Sequence, residues 1–173
     1  MASDRLKSFV KTGTKIYLQL RKLWDKIPEP TEEFRNLCMS MDFREFVDYV
    51  NTMEYQYDPL HGLLDNTYDY NKFFENRTES KDCDDFCRVV MAWGSLNGYE
   101  AKEYVVCSCT SLLKSFETFH VIGTLHKDGK YYLSNYDLYG PFDTEQEALD
   151  LMSCWETYRD ERITVFYREI KIL

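Results

Sequence analysis

A change in hydrophobic periodicity near Gly98 constrains the fold of this chain more than any other feature. Before Gly98, apolar residues recur at the three- and four-residue spacing of amphipathic helices. After Gly98, segments rich in Val, Ile, Tyr and Phe predict strands, with one helix starting at Thr144 before the last of them. The predicted strands cover residues 101–107, 119–126, 131–136 and 163–173. Helices followed by mostly antiparallel strands predict an α+β domain, with an N-terminal helical layer packed on an antiparallel sheet.

The 173 residues are enough for a single domain with a substantial core, and no repeat or low-complexity linker divides them. We predict one domain over 1–173, in which a basic amphipathic helix occupies 1–30 and the core occupies 31–173.

Charge and composition exclude several classes of function. The net charge of −9 argues against nucleic acid as a partner, because phosphate binding needs clustered Lys and Arg. The chain has no apolar run of about 18 residues, so we expect no transmembrane segment. The first residues also lack the apolar stretch of a signal peptide. The six cysteines are therefore expected to stay as thiols in a reducing compartment, which favours a cytoplasmic location.

Residues 3–26 predict an amphipathic helix that begins at Ser3 and ends before Pro28. Its apolar stripe consists of Leu6, Phe9, Val10, Tyr17, Leu20 and Trp24. Seven Lys and Arg against two Asp make this segment basic, whereas the rest of the chain is acidic. A basic helix can contact an anionic surface or a protein partner. We favour a packing helix with solvated charges, because a helical apolar stripe usually faces a core.

Residues 31–53 predict one or two further helices, with a capping box formed by Asp42 and Glu45. Residues 54–80 are rich in Tyr, Asp and Asn and predict a structured loop. Two interpretations of its aromatic residues stay open. They either line a substrate groove or pack inside the loop.

A thiol and an imidazole stand at positions suited to nucleophilic chemistry. Cys83 begins a predicted helix that runs to about Asn97, and His120 begins a predicted strand. A helix N-terminus carries partial positive charge and N–H groups that stabilise a thiolate or an oxyanion. Asp84 and Asp85 oppose thiolate formation unless their carboxylates point away from Cys83. Of the three histidines, His120 is the best candidate for the base.

The predicted hairpin supplies a third group that orients the imidazole. If Asp128-Gly129 forms a two-residue turn, Lys127 pairs with Lys130, and Asn135 and Asp137 share a face with His120. The sequence does not decide between Asn135 and Asp137.

These residues resemble the transglutaminase-like superfamily of papain-type thiol enzymes. Four segments carry the resemblance in family order: Asp82-Cys83-Asp84-Asp85-Phe86, Leu96-Asn97-Gly98-Tyr99-Glu100-Ala101, His120-Val121-Ile122 and Gly129-Lys130-Tyr131-Tyr132-Leu133-Ser134-Asn135. Tyr55-Gln56-Tyr57-Asp58 is similar to a region upstream of the family's nucleophile. The resemblance spans about residues 46–137.

The resemblance implies a papain-like fold with Cys83 as nucleophile, His120 as base and Asn135 as the residue that orients His120. Two positions depart from the family pattern. Lys81 stands where a small residue is usual, and Asn135 stands where Asp is commoner.

The implied function is thiol-dependent amide hydrolysis or acyl transfer on a peptide or protein substrate, without a cofactor. The alternative is a catalytically idle binding module that contacts proteins through its Tyr-rich loops and its first helix. A zinc site built on Cys83, Cys87, Cys107 and Cys109 is disfavoured, because cysteine is commonly buried as an apolar residue.

Overall fold

The computed structural model describes residues 3–53, 55, 69–74, 81–109, 111, 118–159 and 161–172. Most of the predicted loop over 54–80 lies outside the described residues, and so do Gln56, Tyr57, Asp58 and His61 of the sequence analysis.

Five α-helices are present in the described part of the chain. They are α1 (Asp4–Arg21), α2 (Glu32–Ser40), α3 (Phe43–Val50), α4 (Cys83–Leu96) and α5 (Glu145–Asp150). Short 3₁₀ turns cover Tyr70–Lys72, Leu151–Cys154 and Glu156–Tyr158. Ser3 caps α1 as predicted, and Asp42 and Glu45 form the predicted capping box of α3.

The strands are β1 (Glu100–Ser108), β2 (His120–Lys127), β3 (Lys130–Ser134), β4 (Leu138–Phe142) and β5 (Arg162–Ile170). They form one sheet in the order β4-β3-β2-β1-β5, and every neighbouring pair is antiparallel. The predicted α+β class, with helices and an antiparallel sheet, is therefore confirmed.

The edge strand β4 was not predicted from the sequence. It contains Gly140 and Pro141, which disfavour strand assignment, and the peptide bond between them is cis. Proline is tolerated at this position because an edge strand needs only one of its sides for hydrogen bonding. Strand β3 ends at Ser134, two residues before its predicted end.

Two hydrophobic clusters lie on opposite faces of the sheet. The larger cluster joins α1–α4 to inward residues of the sheet such as Val105, Val121 and Leu125. The smaller cluster packs α5 and the following 3₁₀ turn on Ile122 and Leu133. Helix α4 is the centre of the larger cluster, since it is buried on almost every side.

Helix α1 differs from its prediction in length and in the face that it buries. It ends at Arg21, and a turn continues to Trp24. Three of the residues predicted to pack are exposed instead: Phe9 by 64%, Leu20 by 51% and Trp24 by 61%. Helical periodicity shows that a face is apolar but does not show whether another element covers it. Among the described residues, no helix has the length and apolar content needed to cross a membrane.

A buried network of charges joins α1, α4 and the sheet. Arg88 of α4 binds Asp25 at 2.8 Å and Glu103 of β1 at 2.9 Å. Arg168 of β5 contacts the same two carboxylates, and the hydroxyl of Tyr167 donates to Asp25 at 2.7 Å. The network places the end of α1 against the first turns of α4.

Candidate active site

Cys83 occupies the first position of α4, as predicted. Asp82 is the N-cap, and its carboxylate accepts a hydrogen bond from the Asp84 amide at 3.3 Å. The Asp85 carboxylate accepts from the Asp82 amide at 3.3 Å and completes a capping box. The cap therefore engages the amide of Asp84, which is one of the N–H groups in the first turn of α4.

The carboxylates of Asp84 and Asp85, which could oppose a Cys83 thiolate, have other partners. Asp85 is held in the capping box, and Asp84 accepts a hydrogen bond from Arg21 Nη2 at 2.7 Å. Because Arg21 lies at the end of α1, the helical layer supplies the counter-charge for a residue adjacent to Cys83. No local pattern in the sequence could reveal this pair, which joins positions 63 residues apart.

His120 opens β2 beside the start of α4. The amide of the next residue, Val121, donates a hydrogen bond to Cys83 Sγ at 3.4 Å. This contact brings the Cys83 sulfur against the backbone at the beginning of β2, where His120 lies. An N–H group directed at a sulfur favours its ionised form.

Asn135 binds the imidazole of His120. The distance between His120 Nε2 and Asn135 Oδ1 is 2.6 Å, and Asn135 is buried. Because the amide oxygen only accepts, this pair requires the proton on Nε2 and leaves Nδ1 as the basic nitrogen of the neutral ring. Asp137 instead accepts from Arg44 Nη1 at 3.3 Å and from the Leu138 amide.

The hairpin register explains why Asn135 reaches His120. Asp128 and Gly129 have φ values of 53° and 73°, so they form the predicted two-residue turn with Lys127 opposite Lys130. Pairing continues to Gly123 opposite Ser134 and then stops. The chain bends after Ser134, and this bend takes Asp137 off the predicted face.

Two tyrosines near the imidazole were missed by the sequence analysis. Tyr136 has a φ of 59°, an uncommon value for a bulky residue, and its ring lies 5.4 Å from the ring of His120. Tyr158 stacks on His120 with ring centroids 6.3 Å apart. Asn51, which caps the C-terminal end of α3, donates to the Tyr136 carbonyl and holds this bend. The sequence carries no signal for either tyrosine, because both contacts arise from tertiary packing.

Burial sets the protonation of the groups around Cys83. It lowers the pKa of His120, and the hydrogen bond with Asn135 offsets this only in part, so the imidazole is neutral near pH 7. Burial raises the pKa of Cys87 well above its usual range and keeps that thiol protonated. Burial also raises the pKa of Tyr136, so its phenol stays neutral. A small cavity borders Cys83 and is lined in part by Asn135 and Tyr136.

Asp82, Cys83 and Asp84 each place one potential metal-ligand atom within 4.8 Å of the others. Both carboxylates already have protein partners, in the cap and in the ion pair with Arg21. Cys87, Cys107 and Cys109 belong to the hydrophobic core. None of the six cysteines, which all lie among the described residues, forms a disulfide.

The site thus combines a thiol at a helix N-terminus, a neutral imidazole with a basic nitrogen, and a buried amide that orients the ring. Such a set can form and resolve a thioester. Comparisons with protein-family models, with curated proteins and with solved structures find no match to this chain, so the functional argument rests on its own residues.

Proposed function

We propose that this protein is a thiol-dependent amide hydrolase or acyltransferase in which Cys83, His120 and Asn135 act together. The observation that carries the proposal is the contact of 2.6 Å between His120 Nε2 and Asn135 Oδ1. His120 is the first residue of β2, and the amide of the next residue, Val121, donates to Cys83 Sγ. A lone histidine at a strand start is usually structural. A histidine oriented by a buried amide beside a helix-start cysteine is typical of papain-type nucleophilic sites.

In the proposed reaction, Nδ1 of His120 takes the thiol proton while Cys83 Sγ forms a bond to the amide carbon. The C–N bond then breaks, and His120 passes its proton to the departing amine. Water or an acceptor amine attacks the resulting thioester and gives a proton to His120. The C–S bond then breaks, and His120 returns this proton to the departing Cys83 sulfur, which restores the thiol. Asn135 keeps the imidazole in the required orientation and tautomer throughout, because its oxygen accepts from Nε2. The substrate class is a peptide or protein amide.

We propose further that the fold is of the papain or transglutaminase-like type. The support is the order of the elements that carry the site. A nucleophile helix, α4, precedes the antiparallel strands. His120 lies at the start of β2, and Asn135 directly follows β3. The N-terminal helices pack on the same face of the sheet as α4.

Selective alkylation of Cys83 tests the proposed chemistry. We expect iodoacetamide to modify Cys83 faster than the other five thiols, with site-resolved mass spectrometry as the measurement. Among these thiols, burial raises the pKa values of Cys38 and Cys107 to about 12. Cys154 is exposed and serves as the internal reference for an ordinary thiol.

Trapping with an amide-mimic electrophile library then tests acyl chemistry, with Cys83→Ala as the control that forms no adduct at this site. We expect His120→Ala to lower the trapping rate by about 10²- to 10⁴-fold, the range for loss of a general base. Alkylation of Cys83 at the rate of Cys154, together with no adduct from the library, would contradict the enzyme proposal.

The second candidate function is a catalytically idle module that binds protein. The observation in its favour is the exposed apolar surface of α1 and the turn after it, formed by Phe9, Ile16, Leu20, Leu23 and Trp24. This candidate predicts that Cys83 reacts no faster than Cys154, so the same alkylation experiment separates the two functions.

A further inference from the structure

Two carboxylates crowd the sulfur of Cys83. One oxygen from Asp82 and one from Asp84 lie within 4.8 Å of Sγ. Negative charge at this distance opposes a thiolate, and the opposition grows where water is excluded. Both aspartates are buried. A reactive Cys83 therefore needs a group that offsets this charge.

Arg21 is such a group for Asp84. Its Nη2 lies 2.7 Å from Asp84 Oδ2, and the two side chains are only 7% and 3% exposed. Burial by itself would raise the pKa of Asp84, but the hydrogen bond with Asp82 and the charges of Arg21 and Arg88 lower it. The Asp84 carboxylate is therefore ionised beside Cys83, and Arg21 is the cation in direct contact with it.

Besides Arg21, the surroundings of Cys83 include neutral groups, the carboxylates of the helix cap, and the cation Arg88, whose charge also acts on Asp84. The carboxylates of Asp82 and Asp85 form the capping box of α4. Burial keeps His120 neutral and keeps Cys87 and Tyr136 protonated near pH 7, as described above. Asn135, which lines the cavity beside Cys83, has a neutral amide side chain. The Lys81 ammonium lies 5.5 Å from the ring centroid of Phe73.

We propose that Arg21 is a positioning residue for Cys83: it holds the Asp84 carboxylate in an ion pair with α1 and offsets a charge that would otherwise suppress the thiolate. This role rests on the proposed function of Cys83 as nucleophile. It also assigns α1 a part in the chemistry, since Arg21 is in the last turn of that helix. Arg21 acts through Asp84, to which its guanidinium donates a hydrogen bond.

The test is the pH dependence of Cys83 alkylation by iodoacetamide in the full chain, resolved by mass spectrometry. In Arg21→Gln, the midpoint of the rate profile should rise by about one pH unit, the low end of the usual effect of a nearby charge. Below the midpoint this corresponds to a rate about tenfold lower. Arg21→Lys retains the positive charge and should shift the midpoint less than Arg21→Gln.

A double variant separates charge from structural damage. Arg21→Gln with Asp84→Asn removes both members of the pair, so the midpoint should return toward the wild-type value. Arg168→Gln is the matched control, because Arg168 is a second buried arginine that, like Arg21, pairs with Asp25. Its other contact is with Glu103. We expect that control to lower stability with a smaller shift of the midpoint, and circular dichroism verifies the fold of each variant.

Each outcome has one meaning. If wild-type Cys83 reacts like Cys154, the proposed function itself fails. If Cys83 is selectively reactive but Arg21→Gln leaves its midpoint unchanged, or Arg168→Gln shifts it equally, only the role of Arg21 is overturned. A double variant that keeps the raised midpoint also overturns it. If Arg21→Gln does not fold, the test uses the single variant Asp84→Asn. A raised midpoint of Cys83 alkylation in that variant contradicts the proposal.

Discussion

At the scale of single residues, the site depends on how burial acts on His120. The sequence suggests a histidine at a strand start, but its protonation follows from the surrounding packing. Burial lowers the pKa of His120, and Asn135 fixes its tautomer through Nε2. A neutral imidazole with a basic Nδ1 is the form that a general base requires.

This lowered pKa predicts a pH dependence of stability. The unfolded chain binds a proton at His120 below about pH 6.5, whereas the folded state resists protonation until the pH is lower. The unfolded state therefore holds more protons in this window, and the His120 contribution to stability decreases as the pH falls. We expect His120→Gln to lose less unfolding free energy than the wild type between pH 7.5 and 5.5, as measured by urea titration.

The control for this prediction is His126→Gln, a substitution at a histidine of the same strand that lies beside Glu100. The prediction fails if the wild type and His120→Gln lose the same unfolding free energy over this pH range.

At the scale of elements, the seating of α4 on β2 determines where Cys83 lies. An added Cβ at Gly123 of β2 would come within 2.4 Å of Met91 Cε and 2.5 Å of its Sδ. Met91 is fully buried in α4, so a side chain at position 123 would displace the helix or its methionine. The hairpin positions Asn135 in a similar way, since its two-residue turn fixes the register of β3 against β2.

Gly123→Ala tests this contact. We expect it to lower the unfolding free energy by about 1–3 kcal/mol, as overpacking in a well-packed core does. Gly13→Ala is the matched control, because position 13 of α1 has no atom within 4 Å of the added Cβ, and alanine favours a helix. Urea unfolding of both variants measures the difference, and an equal effect on stability would contradict the close seating of α4.

At the scale of the whole molecule, a buried charge network links three segments that are far apart in the sequence. Asp25 follows α1, Arg88 lies in α4, and Glu103 lies in β1. Burial by itself would raise the pKa of Asp25, but Arg88 and Arg168 outweigh it and lower the pKa. The network therefore contributes stability above the unfolded pKa of an aspartate, near pH 4, and this contribution is lost as the pH falls through the lower folded value.

Asp25→Asn should lower the unfolding free energy by about 3–5 kcal/mol at pH 7, because it leaves buried arginines without a counter-charge. Tyr167→Phe removes only one hydrogen bond to Asp25 and should cost about 1 kcal/mol. Urea titration ranks the two variants. Equal losses would show that the charge of Asp25 does not stabilise the fold.

The sequence alone determined the features that depend on neighbouring residues. The capping box of α3, the boundaries of α4 and the tight turn at Asp128-Gly129 follow from local hydrogen bonding and backbone preference. The same local rules carried the register from the turn to Ser134. They left Asn135 and Asp137 as the two candidates for His120, and Asn135 is the one that contacts the ring.

Only the tertiary structure decided what distant segments do to one another. It brought Asn135 rather than Asp137 to His120 because the chain bends after Ser134, and Asn51, which follows α3, holds this bend. It added β4, which local propensity disfavours, and it turned part of the apolar stripe of α1 outward. It also brought Arg21 to Asp84. Long-range packing and ion pairing depend on where distant segments meet in space, and they produce no periodic pattern in the sequence.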